Sequence, residues 1–137
     1  MSYLWFGIYG GVSKFDGKDR TTFLPDLGLV GSFIRSIAVD IENNIWLGTV
    51  NGVSKFDGIK WTVFNTSNGL LENDVSTIRT DALGKKWIGT MNGLSVFDEF
   101  GWTNYTEDND LIYNMITSIF ISKDGSKWFS TAKQFLN

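Results

Sequence analysis

The 137-residue chain contains no cysteine and no histidine. Without cysteine there are neither disulfides nor thiolate metal sites, and the redox compartment is left open. Without histidine the commonest general base, the commonest metal ligand and every histidine-based triad are absent. Basic residues are scarce as well. The 12 Lys and Arg stand against 15 Asp and Glu, for a net charge of −3, which leaves no basic footprint for nucleic acid. No apolar run approaches the ~20 residues of a membrane span, and MSYLWFGIYGG has neither the basic flank nor the length of a signal sequence. No membrane insertion by this chain is expected, and it carries no address of its own.

What the chain has is aromatic residues and glycine. A hydrophobic fraction of 42% and an aromatic fraction of 15% mark a folded chain, and its length suits one domain. The stretch IWLGTVNGVSKFDG, from Ile45 to Gly58, is echoed upstream by LWFGIYGGVSKFDG and downstream by KWIGTMNGLSVFDE. Trp5, Trp46, Trp87 and Trp128 keep one constant spacing, so the chain divides into units at 5–45, 46–86 and 87–127 with a partial unit at 128–137. The first two units share 15 of 41 positions without a gap. A fixed period of this size signals a solenoid, a propeller or another array.

The pattern inside the unit selects among these. Alternating β-type runs (VSTIRTD, KKWIGT, LSVF, WTVF) lie between turn signals, and no segment shows a 3.6-residue apolar period. Asn51-Gly52, Asn92-Gly93 and Gly10-Gly11 predict two-residue type I′ hairpins. Asp16-Gly17 and Asp57-Gly58 predict a second hairpin, and Gly84 and Gly125 a third. Each unit therefore holds four short antiparallel strands, one blade of an all-β propeller. The second blade is expected at Val75–Thr80, Lys86–Thr90, Leu94–Phe97 and Thr103–Tyr105. Gly7, Gly48 and Gly89, inside strands, predict close backbone approach between blades. The chain opens on a second strand, Tyr3–Ile8, and ends with an inner strand, Ile116–Ile121, and a shortened Lys127–Thr131. About 3.3 blades and 13 strands result, a partial propeller that needs either more sequence or further copies to close.

At the residue level the unit resembles the two-component regulator propeller repeat. The matching residues are Asn68-Gly69-Leu70, Asn73, Val75 and Ile78, then Asp81, Gly84, Trp87-Ile88-Gly89-Thr90 and Gly93-Leu94. The next unit repeats them with Asp110-Leu111, Asn114, Ile116, Ile119, Asp124-Gly125 and Trp128. The resemblance implies a ligand-sensing or interaction propeller from the extracytoplasmic region of bacterial histidine kinases and hybrid two-component proteins. It also implies a periplasmic or extracytoplasmic setting.

Trp5, Trp46, Trp87 and Trp128, with Phe15, Phe56 and Phe97, are expected to form the repeat core rather than a sugar-stacking surface. Asp16, Asp57 and Asp98, and likewise Asp40, Asp81 and Asp124, are expected to accept turn N–H groups. Ligand contact is expected on the face carrying the long linking loops, from Tyr9, Asn51, Asn92, Glu107, Asp108, Asn109, Asp110 and Tyr113. No metal, cofactor or catalytic residue is expected. The expected partners are a small-molecule or carbohydrate ligand, and further copies or further blades that close the ring. A self-assembling, lectin-like propeller is the alternative.

Overall fold

A computed structural model describes residues 3–8, 11–24, 33–109 and 113–133. Among these residues there are thirteen strands and two single 3-10 turns. The first blade is β1 (Leu4–Ile8), β2 (Gly11–Phe15) and β3 (Arg20–Phe23). The second is β4 (Ser36–Val39), β5 (Ile45–Thr49), β6 (Gly52–Phe56) and β7 (Trp61–Phe64). The third is β8 (Val75–Thr80), β9 (Lys86–Thr90), β10 (Gly93–Asp98) and β11 (Gly101–Tyr105), and the fourth is β12 (Met115–Ile121) with β13 (Lys127–Ala132). Every neighbouring pair is antiparallel, and sequence order is sheet order. The fold is a partial β-propeller.

Alternation along each strand sends one side chain set forward to the next blade and the other back to the preceding one. Three apolar layers follow. Trp5, Val12 and Phe23 of the first blade meet Ile37, Leu47, Phe56 and Trp61 of the second. Trp46, Val53 and Phe64 then meet Ile78, Ile88, Phe97 and Trp102. Trp87 and Leu94 meet Ile116, Ile119 and Phe129. Trp46 lies at the centre of the middle layer, 1% exposed, with Phe64 stacked at 5.6 Å and Phe97 at 6.0 Å between ring centroids.

Strand glycine permits this closeness, but the partner is a side chain rather than backbone. A Cβ on Gly48 would lie 2.7 Å from Val75 Cγ1, and one on Gly89 would lie 2.6 Å from Ile116 Cγ2. A β-branched residue of each inner strand thus fills the notch left by the glycine in the blade before. At the fourth blade Ser130 holds that position.

The hairpins after β5 and β9 are not type I′. Only Gly52 (φ 114°) and Gly93 (φ 141°) are left-handed there, and Asn43 is the sole non-glycine with positive φ among the described residues. The threonine before each loop sets its shape. Thr49 Oγ1 accepts from Asn51 N–H (2.9 Å) and donates to Gly52 O (3.1 Å). Thr90 does the same with Asn92 (3.2 Å) and Gly93 (2.8 Å). Asparagine in ordinary backbone followed by a left-handed glycine makes a turn with a glycine bulge.

The aromatic repeat is not uniformly interior. Trp46 and Phe56 are buried, Trp5, Trp87, Phe15 and Phe97 half-buried, and Trp128 is 65% exposed. Among the described residues no blade covers the forward side of β13, which leaves that indole at the surface.

Candidate functional site

The recurring polar residues are engaged in bracing the blades. Asp40, 5% exposed, accepts from the N–H groups of Glu42 and Asn44 (both 2.9 Å), Asn44 Nδ2 (3.0 Å) and the indole Nε1 of Trp46 (2.8 Å). Asp81 repeats the arrangement with Leu83 N–H, Lys85 N–H and Trp87 Nε1, each at 2.9 Å. A lysine from the following blade completes each site. Lys86 Nζ stands 3.7 Å from Asp40 Oδ2 and 5.2 Å from the Trp46 ring centre. Lys127 Nζ stands 3.9 Å from Asp81 Oδ2 and 5.2 Å from the Trp87 ring centre. Burial raises the pKa of both carboxyls, but the indole, amide and backbone donors outweigh it, and both lie below the usual carboxylate range.

Asp124 is not the third member of this series. The repeat puts Ser122 in the place of Asp40 and Asp81. Asp124 caps its own exposed turn instead, accepting from Ser122 Oγ and Ser126 N–H, which hold it at about 2.

The loop face expected to bind ligand is also internally braced. Asn92 Nδ2 donates to Glu72 Oε2 at 3.0 Å, so hairpin and linking loop meet on one face. Asn65 caps the turn Thr66–Asn68, while Asn73 Oδ1 accepts Thr66 N–H at 2.9 Å. The next blade copies this clamp: Asn114 Oδ1 accepts Glu107 N–H at 2.7 Å, and Glu107 Oε1 accepts Asn114 N–H at 3.2 Å. Asp108 N–H is held by Thr106 Oγ1 at 3.2 Å. Tyr113 is half-exposed, and Asn51 N–H lies against Thr49. Tyr9, Asp110 and the side chain of Asn109 lie outside the described residues. Among the described residues no three carboxylates converge on a point that could hold a metal ion.

The opposite face shows what the sequence did not suggest. Hairpins β4–β5, β8–β9 and β10–β11 open there on a depression of about 750 Å³. Its lining includes Ile41, Leu83 and Phe100 with Glu42, Lys85, Lys86 and Asp98. Phe100 is 90% exposed and Leu83 is 83% exposed. Lys85 Nζ and Asp98 Oδ2 stand 4.0 Å apart across the lining. Of these apolar residues only Leu83 departs from the blade before, where Glu42 stands; Phe100 aligns with Ile59, which is also apolar and exposed.

Comparison with known proteins accords with this architecture. Residues 28–51 match the two component regulator propeller family. The extracellular domain of the putative hybrid two component system BT3049 of B. thetaiotaomicron is similar to the chain at 29% identity and TM-score 0.79, over 94% of this chain and 19% of that one. The corresponding domain of BT4673 from the same organism gives 21% identity and TM-score 0.72, over 94% and 18%. PorZ, a surface component of the type-IX secretion system of Porphyromonas gingivalis, gives 20% and 0.70, over 93% and 21%. The last two show the fold alone. No curated protein matches the chain. The chain spans about a fifth of the length of these solved relatives. The repeat that builds the chain is similar to the two-component regulator propeller repeat, whose family model matches at residues 28–51.

Proposed function

We propose that the chain is a non-catalytic recognition portion of an extracytoplasmic sensor propeller, and that it meets ligand at the hairpin-tip depression. One observation carries this reading. The repeated polar groups are consumed in bracing blades, while Ile41, Leu83 and Phe100 stand in solvent around one concavity. Its volume falls in the usual ~300–1,000 Å³ range of ligand sites. Projecting apolar side chains beside Lys85, Glu42 and Asp98 suit a ligand with apolar and hydroxyl faces, such as an oligosaccharide.

The aspartates of the turns serve as ionised acceptors. Asp16, Asp40, Asp57, Asp81 and Asp124 are all displaced downward, away from the range a general acid needs. The similarity to the extracellular domain of BT3049 supports the extracytoplasmic setting.

The test is a thermal-shift and calorimetric screen against neutral and acidic oligosaccharides. Binding abolished by Phe100→Ala or Leu83→Ala, and retained in Tyr113→Ala and Asp108→Ala, is the expected result. Loss in the second pair alone would move the site to the linking-loop face. A panel with no binder would overturn the recognition reading for this chain.

A further inference from the structure

The first and fourth blades are incomplete in opposite senses. Among the described residues the first has three strands and no inner strand, whereas the fourth has an inner strand, β12, with a single partner. In both four-stranded blades the inner strand pairs with the tryptophan strand in one register. Ala38 faces Trp46 and Ile37 faces Leu47 in one, and Arg79 faces Trp87 and Ile78 faces Ile88 in the other. β12 keeps that register against β13, with Phe120 opposite Trp128 and Ile119 opposite Phe129.

By the rules of this repeat, β13 is the poorer partner. No third and fourth strands follow it among the described residues, and Ser130 replaces the glycine that would receive a following blade, whereas β1 keeps Trp5, Phe6 and Gly7 in the repeat positions, and β2 and β3 follow it in register. The rearward side of that sheet is uncovered: Phe6, Ile8, Phe15 and Arg20 line an open, nearly apolar depression of about 480 Å³. The corresponding residues of the second blade, Leu47, Phe56 and Trp61, are packed against the blade before them.

We infer that a second copy of this chain covers the first blade. Its β12 pairs with β1, Ile121 opposite Leu4 and Phe120 opposite Trp5, and displaces its own β13. The rearward aromatic side of β1–β3 then packs on the forward side of the partner's third blade. The exchange is reciprocal about a two-fold axis, so it closes a ring of six blades rather than growing a filament. Three strands about 4.8 Å apart and five residues of about 3.3 Å each give a sheet face of roughly 240 Å². Counting the two facing surfaces at each of the two new joints gives roughly 950 Å², before the ladders are added, near the ~1,000 Å² of a specific interface.

Light scattering after size exclusion reads the mass of the 137-residue chain directly. The expected value is twice 15.4 kDa, falling to the monomer in Phe6→Asp with the β-sheet circular dichroism kept. Because the chain has no cysteine, a disulfide between singly substituted Leu4→Cys and Ile121→Cys chains, mixed and oxidised, reports this register alone. A folded monomer at every concentration would overturn the inference and leave the face to other blades of a longer protein. A dimer in which the mixed variants fail to cross-link would overturn it equally.

Discussion

Asp40 is the residue on which most local order converges. Its two oxygens gather four donors, three of them in buried contacts that lose their acceptor once the carboxylate is gone. Orphaning a buried donor costs about 1–3 kcal/mol, so Asp40→Ala is expected to lower stability by about 3 kcal/mol in urea titration. Asp124→Ala, in an exposed turn, should leave the urea midpoint nearly unchanged. The same geometry sets a pH dependence. The folded pKa values of Asp40 and Asp81 lie below the ordinary value. Their stabilisation is therefore present above the unfolded value of about 3.9 and is lost as pH falls through the folded values. Melting temperature should drop below about pH 4, and the drop should be shallower in Asp40→Asn, as thermal melts across that range would show. A flat profile in the parent chain would rule out this role for the two carboxylates. In the sequence these aspartates read as turn acceptors. The bond to an indole six residues on was not legible, because it depends on how the hairpin folds the tryptophan back. Asp124 does accept a turn N–H, but two residues beyond the repeat position that Ser122 holds, and so without the indole.

Elements are set by periodicity and turn chemistry, and here the sequence was informative. Alternation placed β8 and β9 at the bounds the structure has, because each buried side chain is followed by one facing the other blade. The hairpin type was misjudged. Asn-Gly suggests two left-handed residues, but the hydroxyl of Thr49 or Thr90 binds the asparagine N–H and holds it in ordinary backbone. Asn43 takes the left-handed position (φ 67°) that Gly84 and Gly125 fill in later blades. At Gly48 the expected outcome is specific. Alanine would set its Cβ 2.7 Å from Val75 Cγ1, and overpacking of this kind costs about 1–3 kcal/mol. Adding Val75→Ala should recover part of the loss, so the double-mutant cycle should be non-additive. Strict additivity in urea titration would show that the notch can relax. Thr90→Val removes two hairpin bonds and should cost about 1–2 kcal/mol by the same measurement.

At the scale of the whole molecule, stability is a property of joints rather than of blades. Each apolar layer draws its residues from two successive blades, so the chain should behave as a nearest-neighbour array. Trp46→Ala empties the middle joint and should cost about 3–5 kcal/mol. Hydrogen exchange should show protection falling on both flanks of that joint together, in β5 and β9. Loss confined to one blade would contradict the shared-layer reading. The propeller was legible in the sequence because the period of the repeat is the blade itself. The hairpin-tip depression was not, since it depends on how hairpins of two successive blades converge.

The joints also differ in a way that bears on how such a molecule can grow. The third blade carries both halves of the clasp, Lys86 reaching back to Asp40 and Asp81 receiving Lys127 from ahead. The second blade carries only the receiving half, because Ile45 stands where the lysine would be. A tandem duplication of the third blade would add a joint with a cation already aimed at its buried carboxylate. Duplicating the second would set Asp40 against isoleucine and leave that charge uncompensated. Of the two complete units, only one is a modular brick whose copies can follow one another, and lengthening by blade insertion should tolerate that one alone.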